Sequence, residues 1–179
     1  LALPLTSNEV IDMTGLKAEN SPLLLEDTRA FLNKKMDTPD MKIVRKAFDA
    51  CRATRHTDCV LGMAFVGASG VGKTTTTIGY ADKTPPYEEG QQRIVPVLYV
   101  NLPEKSTSKS LVSRLLRKLT GLKNVKGTEE DIQARLISRL IAAKTEMIFI
   151  DEAQHLVRES SSVLAQHSAD AIKAIMDPV

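Results

Sequence analysis

Residues Gly67–Thr74 read GASGVGKT and fit the pattern G-x-x-x-x-G-K-[ST]. They follow an apolar run at 60–66, which is typical of a strand buried on both faces, and precede residues 74–81, which we predict to be helical. A glycine-rich turn between a strand and a helix directs backbone N–H groups and the positive end of the helix at phosphate oxygens. The sequence therefore predicts a P-loop that binds a nucleoside triphosphate.

The residues of this loop have separate predicted roles. Lys73 is expected to reach the β and γ phosphates and to act in catalysis, whereas Thr74 is expected to offer its hydroxyl to Mg²⁺. Thr75 can add a further phosphate contact. The remaining members of the predicted ATP site surround the phosphates with their backbone: Gly67, Ala68, Ser69, Gly70, Val71 and Gly72.

An acidic pair follows a second apolar run. Residues 147–150 read MIFI and are followed by Asp151 and Glu152. The acidic pair therefore lies at the carboxyl end of a predicted strand, which is where open α/β sheets bind ligands. We expect Asp151 to hold Mg²⁺, directly or through water, and Glu152 to polarise the water that attacks the γ-phosphorus. The adjacent glutamate favours ATP hydrolysis in the additional-glutamate (ASCE) class over a GTPase switch, and the sequence has no guanine-reading N-K-x-D.

Strand-like and helix-like segments alternate along the chain, which predicts an α/β fold with a mostly parallel sheet and helices on both faces. Residues 83–92 are predicted to be an exposed loop. The predicted domains are an N-terminal extension at 1–38 and a P-loop NTPase core at 39–179. The predicted strands are 60–66, 95–100 and 147–150, and the predicted helices begin at Pro39, Thr74, Ser108, Thr128 and Ser168.

Composition excludes several classes of protein. The 179 residues are 42% hydrophobic, enough for the core of one domain, and a net charge of +2 does not by itself indicate a nucleic-acid partner. Cys51 and Cys59 have neither disulfide-scaffold nor zinc spacing. No apolar run approaches the roughly 18 residues of a membrane span. We therefore expect a cytosolic protein with reduced thiols and no membrane partner.

Several further motifs stand in a fixed order around the P-loop: Leu98–Asn101 followed by Pro103, then Lys126–Thr128, and finally Ile150–Leu156, which reads IDEAQHL. With this arrangement the chain resembles, from about residue 40 to its end, the AAA+ ATPases of the TniB/TnsC type, which regulate DNA transposition. The resemblance implies that ATP drives assembly of a ring or helical oligomer around duplex DNA. That oligomer would connect a target-selecting protein to the transposase.

The resemblance also implies a DNA-facing surface, in the loop after the second strand and near the start of the helix before the acidic strand. The matching positions here are Lys105, Lys109, Lys126 and Thr128. A lysine or a hydroxyl there can contact phosphate without reading bases, which gives sequence-tolerant, salt-sensitive binding. Judged without the resemblance, these lysines are more simply a solvated surface.

The resemblance further implies that another strand, later in the chain, lies between the P-loop strand and the acidic strand. Nothing after Glu152 reads as that strand, its polar sensor residue or an arginine finger. We therefore expect the domain to be incomplete at its carboxyl end, without its last strands and lid, unless a strand lies unrecognised within 1–38. Two alternatives stay open: the ATPase of a secretion or membrane-assembly machine, and a signalling switch ATPase. His155 and His167 are assigned no role.

Overall fold

The computed structural model describes residues 38–57, 59–156 and 170–176, and the side chain of His56 is not among them. Most of the predicted extension and the polar loop predicted for 157–167 thus lie outside the described residues. The helices are α1 Pro39–Ala53, α2 Lys73–Ala81, α3 Ser108–Thr120, α4 Glu129–Ala142 and α5 at 170–176, with short 3₁₀ helices at Thr54–His56 and Ala153–Leu156, and the strands are β1 Tyr87–Glu89, β2 Gln92–Ile94, β3 Val97–Asn101 and β4 Met147–Asp151.

A two-stranded parallel sheet lies at the centre of the fold. β3 and β4 pair in register from Val97 opposite Met147 to Asn101 opposite Asp151. Both strands agree with the predicted ones to within two residues, and helices flank the pair. The fold is therefore α/β with a small parallel sheet between helices.

The two faces of this sheet carry two separate apolar clusters, because successive strand residues point to opposite faces. On one face Val97 and Phe149 pack with Phe48 of α1 and Tyr80 of α2. The ring centroid of Phe48 lies 4.8 Å from that of Phe149 and 5.3 Å from that of Tyr80, in edge-on contacts. The other face packs against α3 and α4 through Leu98, Val100, Leu111, Val112, Leu115, Leu116, Ile132 and Leu136.

Capping residues explain the bounds of α3 and α4. Thr107 caps α3 in a reciprocal box with Ser110, and Gly121 ends it at a φ of 74°. Thr128 caps α4 in the same way with Asp131. The predicted helix at 108–120 and the predicted helix start at Thr128 are confirmed.

The loop predicted for 83–92 is wrong in part, because residues 87–94 form an antiparallel hairpin, β1 with β2. Glu89 pairs with Gln92, which leaves Gly90 and Gln91 as a two-residue turn, and Gly90 has a φ of 64°. Such turns require positive φ, which glycine adopts freely. The prediction of an exposed segment around Gly90 missed both the turn and the two strands that flank it.

The strand predicted for 60–66 is also wrong. Within the described residues this segment has no regular secondary structure and pairs with neither β3 nor β4. Val66 is 85% exposed and Leu61 is 52% exposed, so the segment is not buried on both faces. Phe65 does reach the core, with its ring 6.0 Å from that of Phe48. The physical reason is that a strand needs a neighbour for its N–H and C=O groups, and β3 is the one described neighbour of β4.

The described residues show no direct ladder between 60–66 and β4. Because 60–66 is not a strand there, the predicted strand order, in which the two are not neighbours, stays a prediction.

Candidate nucleotide-binding site

The P-loop joins the segment 60–66 to α2 through two glycines with positive φ. Gly70 has a φ of 81° and Gly72 has a φ of 86°. A Cβ atom at Gly72 would also lie 2.7 Å from Cε of Met41. The positive φ favours glycine at this position, whereas Met41 Cε is the flexible end of a side chain and can shift. Lys73 follows as the first residue of α2.

The Lys73 side chain folds back over the loop. Its Nζ atom donates hydrogen bonds to the carbonyl oxygens of Gly67 and Ala68, both over 2.8 Å. The ammonium group is thus held against the first two residues of the predicted P-loop. Thr75 is exposed in the first turn of α2.

The first turn of α2 meets the carboxyl end of β4. Thr74 Oγ1 donates a hydrogen bond to Asp151 Oδ2 over 2.8 Å. The other carboxylate oxygen, Asp151 Oδ1, accepts the backbone N–H of Glu152 over 2.9 Å. The Asp151 carbonyl accepts the N–H of Leu102 over 3.1 Å, which fixes the backbone beneath the carboxylate. The structure therefore brings together the two residues predicted to hold Mg²⁺.

Tyr99 is a member of this cluster that sequence reasoning missed. Its hydroxyl donates to Asp151 Oδ2 over 2.8 Å, beside the bond from Thr74. Burial, and then the adjacent Asp151 carboxylate, raise the pKa of Tyr99 well above its ordinary value, so the hydroxyl keeps its proton. The available signal was strand alternation: Tyr99 and Asn101 share a face, and Asn101 pairs with Asp151.

Glu152 has an unusual backbone conformation, with a φ of 57°. Left-handed geometry at a residue other than glycine is uncommon and often occurs at functional sites. The Glu152 carboxylate accepts a hydrogen bond from the Gln154 amide, and His155 Nε2 lies 3.7 Å from its Oε2. The side chain is 43% exposed, so water can reach it.

The donor set fits a magnesium ion. Thr74 and Asp151 offer a hydroxyl and a carboxylate oxygen within 2.8 Å of each other, and Mg²⁺ prefers oxygen ligands. In the part of the chain that the structure describes, no group of three or more His, Cys, Asp or Glu residues could hold a metal ion. Mg²⁺ commonly takes only one or two protein ligands and completes its shell with water and phosphate, so two protein oxygens are enough.

A comparison with known protein families matches residues 34–179 to the family described as bacterial TniB protein. The match covers most of the chain. This chain belongs to the TniB family. The TniB family is a group of ATPase-like proteins that work in transposition with DNA and transposase partners. A search of curated proteins finds no significant match.

The predicted DNA contacts of this TniB protein lie at two helix starts. Lys105 is exposed in the turn after β3 and has a φ of 60°, and Lys109 is exposed in the first turn of α3. Lys126 and Thr128 directly precede α4, whose last residue comes shortly before β4 begins. The start of α4 therefore points toward the carboxyl ends of the strands, as does the turn after β3.

Two of these positions also have structural partners. The Lys126 carbonyl accepts Nη1 of Arg135 over 3.1 Å. The Thr128 hydroxyl donates to Asp131 Oδ2 over 2.8 Å and accepts the N–H of Asp131 over 3.2 Å. Capping thus accounts for the conformation of the Thr128 side chain without a DNA contact.

No helix in the described ranges of this TniB protein is long and apolar enough to span a membrane.

Proposed function

We propose that this TniB protein binds and hydrolyses Mg–ATP and uses the bound nucleotide to assemble on duplex DNA as a regulator of transposition. The observation that carries the proposal is the 2.8 Å contact between Thr74 of the P-loop and Asp151 of the acidic pair. In P-loop ATPases these two residue types hold the metal ion together.

Each side chain of the site has a distinct role in this proposal. Lys73 neutralises charge on the β and γ phosphates, and the N–H groups of Gly67–Gly72 and the start of α2 bind the phosphate oxygens. Thr74 and Asp151 hold Mg²⁺, which supplies charge neutralisation at the transferred phosphoryl group. Glu152 accepts the proton of the attacking water. Its exposure and its position next to Asp151 suit that role.

The proposed fold class is the AAA+ type of the P-loop ATPases. TniB membership and a parallel sheet that ends at Asp151 support this class. The proposed assembly is a ring or helical oligomer on DNA that contacts the transposase and a target-selecting protein. Lys105, Lys109 and Lys126 contact DNA phosphates, and Thr128 adds a hydroxyl at the same edge.

ATP affinity and ATP turnover of three proteins test the proposed chemistry. Lys73→Ala is expected to abolish ATP binding, whereas Glu152→Gln is expected to bind ATP like the wild type and to lose hydrolysis by about 100-fold or more, the usual contribution of a general base. Wild-type ATP affinity in Lys73→Ala would contradict the site.

Sedimentation with a duplex DNA tests the second part of the proposal. We expect the wild-type protein to sediment with DNA in the presence of a nonhydrolysable ATP analogue and to remain in the supernatant without nucleotide. Glu152→Gln with ATP should behave like the wild type with the analogue. Nucleotide-independent sedimentation would contradict ATP control of assembly, even if the ATPase assays succeed.

A further inference from the structure

We propose that Tyr99 is a positioning residue for the cation site, because its hydroxyl holds the Asp151 carboxylate in the orientation that presents it beside Thr74. The inference rests on the proposed Mg–ATP function and adds a third side chain to it. Tyr99 does not contact the cation in this proposal. It acts through Asp151.

Hydrogen bonds to both oxygens fix the Asp151 carboxylate. Oδ2 accepts the hydroxyls of Tyr99 and Thr74, each over 2.8 Å, and Oδ1 accepts the N–H of Glu152 over 2.9 Å. A carboxylate has about four acceptor positions, so three bonds leave one lone pair unassigned. Rotation about the Cβ–Cγ bond would break at least two of these bonds. The carboxylate is thus held in place before a ligand arrives.

The two hydroxyls that meet at Oδ2 differ in burial. Thr74 is exposed in the first turn of α2. In the predicted site its oxygen must offer a lone pair to the cation. Tyr99 is half-buried in the middle of β3, packed against the cluster that contains Phe48 and Phe149. Tyr99 therefore supplies the bond that does not change when a ligand binds at Thr74.

The geometry of the hydroxyl supports the same role. The Tyr99 hydroxyl carries a single proton, and its 2.8 Å contact directs that proton at Asp151 Oδ2. Groups that orient a metal ligand in this way typically change metal affinity by about 10- to 100-fold when they are removed.

Tyr80 offers a matched control. It packs in the same apolar cluster as Tyr99, and its hydroxyl also donates to an aspartate, Asp49 Oδ1, over 2.6 Å. Asp49 lies in α1 and has no role in the proposed site. Tyr99→Phe and Tyr80→Phe therefore remove the same atom from the same cluster, and one of the two bonds lost is at the cation site.

The experiment measures ATP affinity of the wild type and both variants in excess Mg²⁺ and in EDTA, together with Mn²⁺ binding by electron paramagnetic resonance. We expect Tyr99→Phe to weaken Mn²⁺ binding and the Mg²⁺-dependent part of ATP affinity by about tenfold or more. Its ATP affinity in EDTA should stay within about twofold of wild type. Tyr80→Phe should leave all three quantities unchanged.

Two results would overturn the inference. In the first, Tyr99→Phe binds Mn²⁺ as tightly as Tyr80→Phe does. In the second, Tyr99→Phe loses as much ATP affinity in EDTA as in Mg²⁺, which would indicate a general structural role. Failure of the proposed function looks different, because the wild type itself would then show no Mg²⁺-dependent ATP binding. Thermal unfolding of both variants checks that each is folded.

Discussion

Thr74 and Asp151 lie 77 residues apart in the chain, yet their side chains share a hydrogen bond of 2.8 Å. Thr74 stands in the first turn of α2, and Asp151 is the last residue of β4. The contact exists only when α2 packs on the correct face of the β3–β4 sheet. The predicted cation site is therefore a product of the tertiary fold.

The Thr74 hydroxyl is predicted to be essential for Mg²⁺-dependent binding. Thr74→Ala removes a proposed metal ligand and should weaken Mg²⁺-dependent ATP affinity by at least about tenfold, whereas Thr74→Ser keeps the oxygen and should stay near wild type. Calorimetric titration with ATP in Mg²⁺ and in EDTA measures the difference. Equal affinity of the alanine and serine variants would argue against a metal role for Thr74.

The two lysines after β3 are predicted to contact DNA phosphates. Lys105→Ala combined with Lys109→Ala should weaken DNA binding to a similar extent on unrelated sequences and lower the slope of log affinity against log salt by about one per lysine. A salt titration by fluorescence anisotropy measures both effects. Lys118→Ala, an exposed lysine near the other end of α3, is the matched control. An unchanged slope in the double variant would remove these lysines from the DNA surface.

The Thr128 side chain is predicted to stabilise α4 as a helix cap, in addition to its proposed DNA contact. Thr128→Ala loses its bonds to Asp131 and should lower the free energy of unfolding by about 1 kcal/mol. Thr128→Ser keeps the cap and should be close to wild type in stability. Urea unfolding measures the change. Unchanged stability of the alanine variant would contradict the capping role.

Acid should weaken the same cap. Hydrogen bonds from the Thr128 side chain and backbone, and then the charge of Arg135, lower the pKa of Asp131 below its ordinary 3.8. The Asp131 contribution is therefore fully present above pH 3.8 and is lost as pH falls through the lower folded-state pKa. Urea midpoints of wild type and Asp131→Asn should converge in that range. When both proteins also carry Thr128→Ala, the difference between their urea midpoints should depend less on pH.

Phe48 is predicted to be the most sensitive position in α1. It is 1% exposed and contacts three aromatic rings, so Phe48→Ala should cost about 3–5 kcal/mol of folding free energy. Ile43→Ala in the same helix is a control, since Ile43 is 66% exposed and its loss should change stability by less than about 0.5 kcal/mol. Chemical denaturation with matched m-values tests both. A small cost at Phe48 would mean that the cluster repacks.

Local signals account for the parts of the fold that sequence reasoning predicted well. The ends of α3 follow from a threonine cap and a terminal glycine, and β4 follows from an apolar run that ends at Asp151. These features depend on neighbours within a few residues, so the chain alone reveals them. The meeting of Thr74 with Asp151 was also predicted, because both belong to motifs with an established geometry.

The features that sequence reasoning predicted wrongly or missed depend on contacts between segments or on weak local patterns. Residues 60–66 have a strand composition, but a strand forms only beside a partner, and composition does not reveal the partner. The hairpin turns at Gly90 between short, exposed and polar strands that show no apolar alternation. Tyr99 was missed because its diagonal relation to Asp151 depends on how β3 aligns with β4.

That alignment has a practical consequence. Side chains on a strand alternate between faces, so a slip of one residue between β3 and β4 would turn the Tyr99 hydroxyl away from Asp151 and would separate Asn101 from its partner. A misaligned chain could keep most of its helices and still lack a formed cation site. The fraction of purified protein that binds ATP in Mg²⁺ would then report how much of a preparation has reached the correctly aligned state, which a helix-sensitive spectrum would overlook.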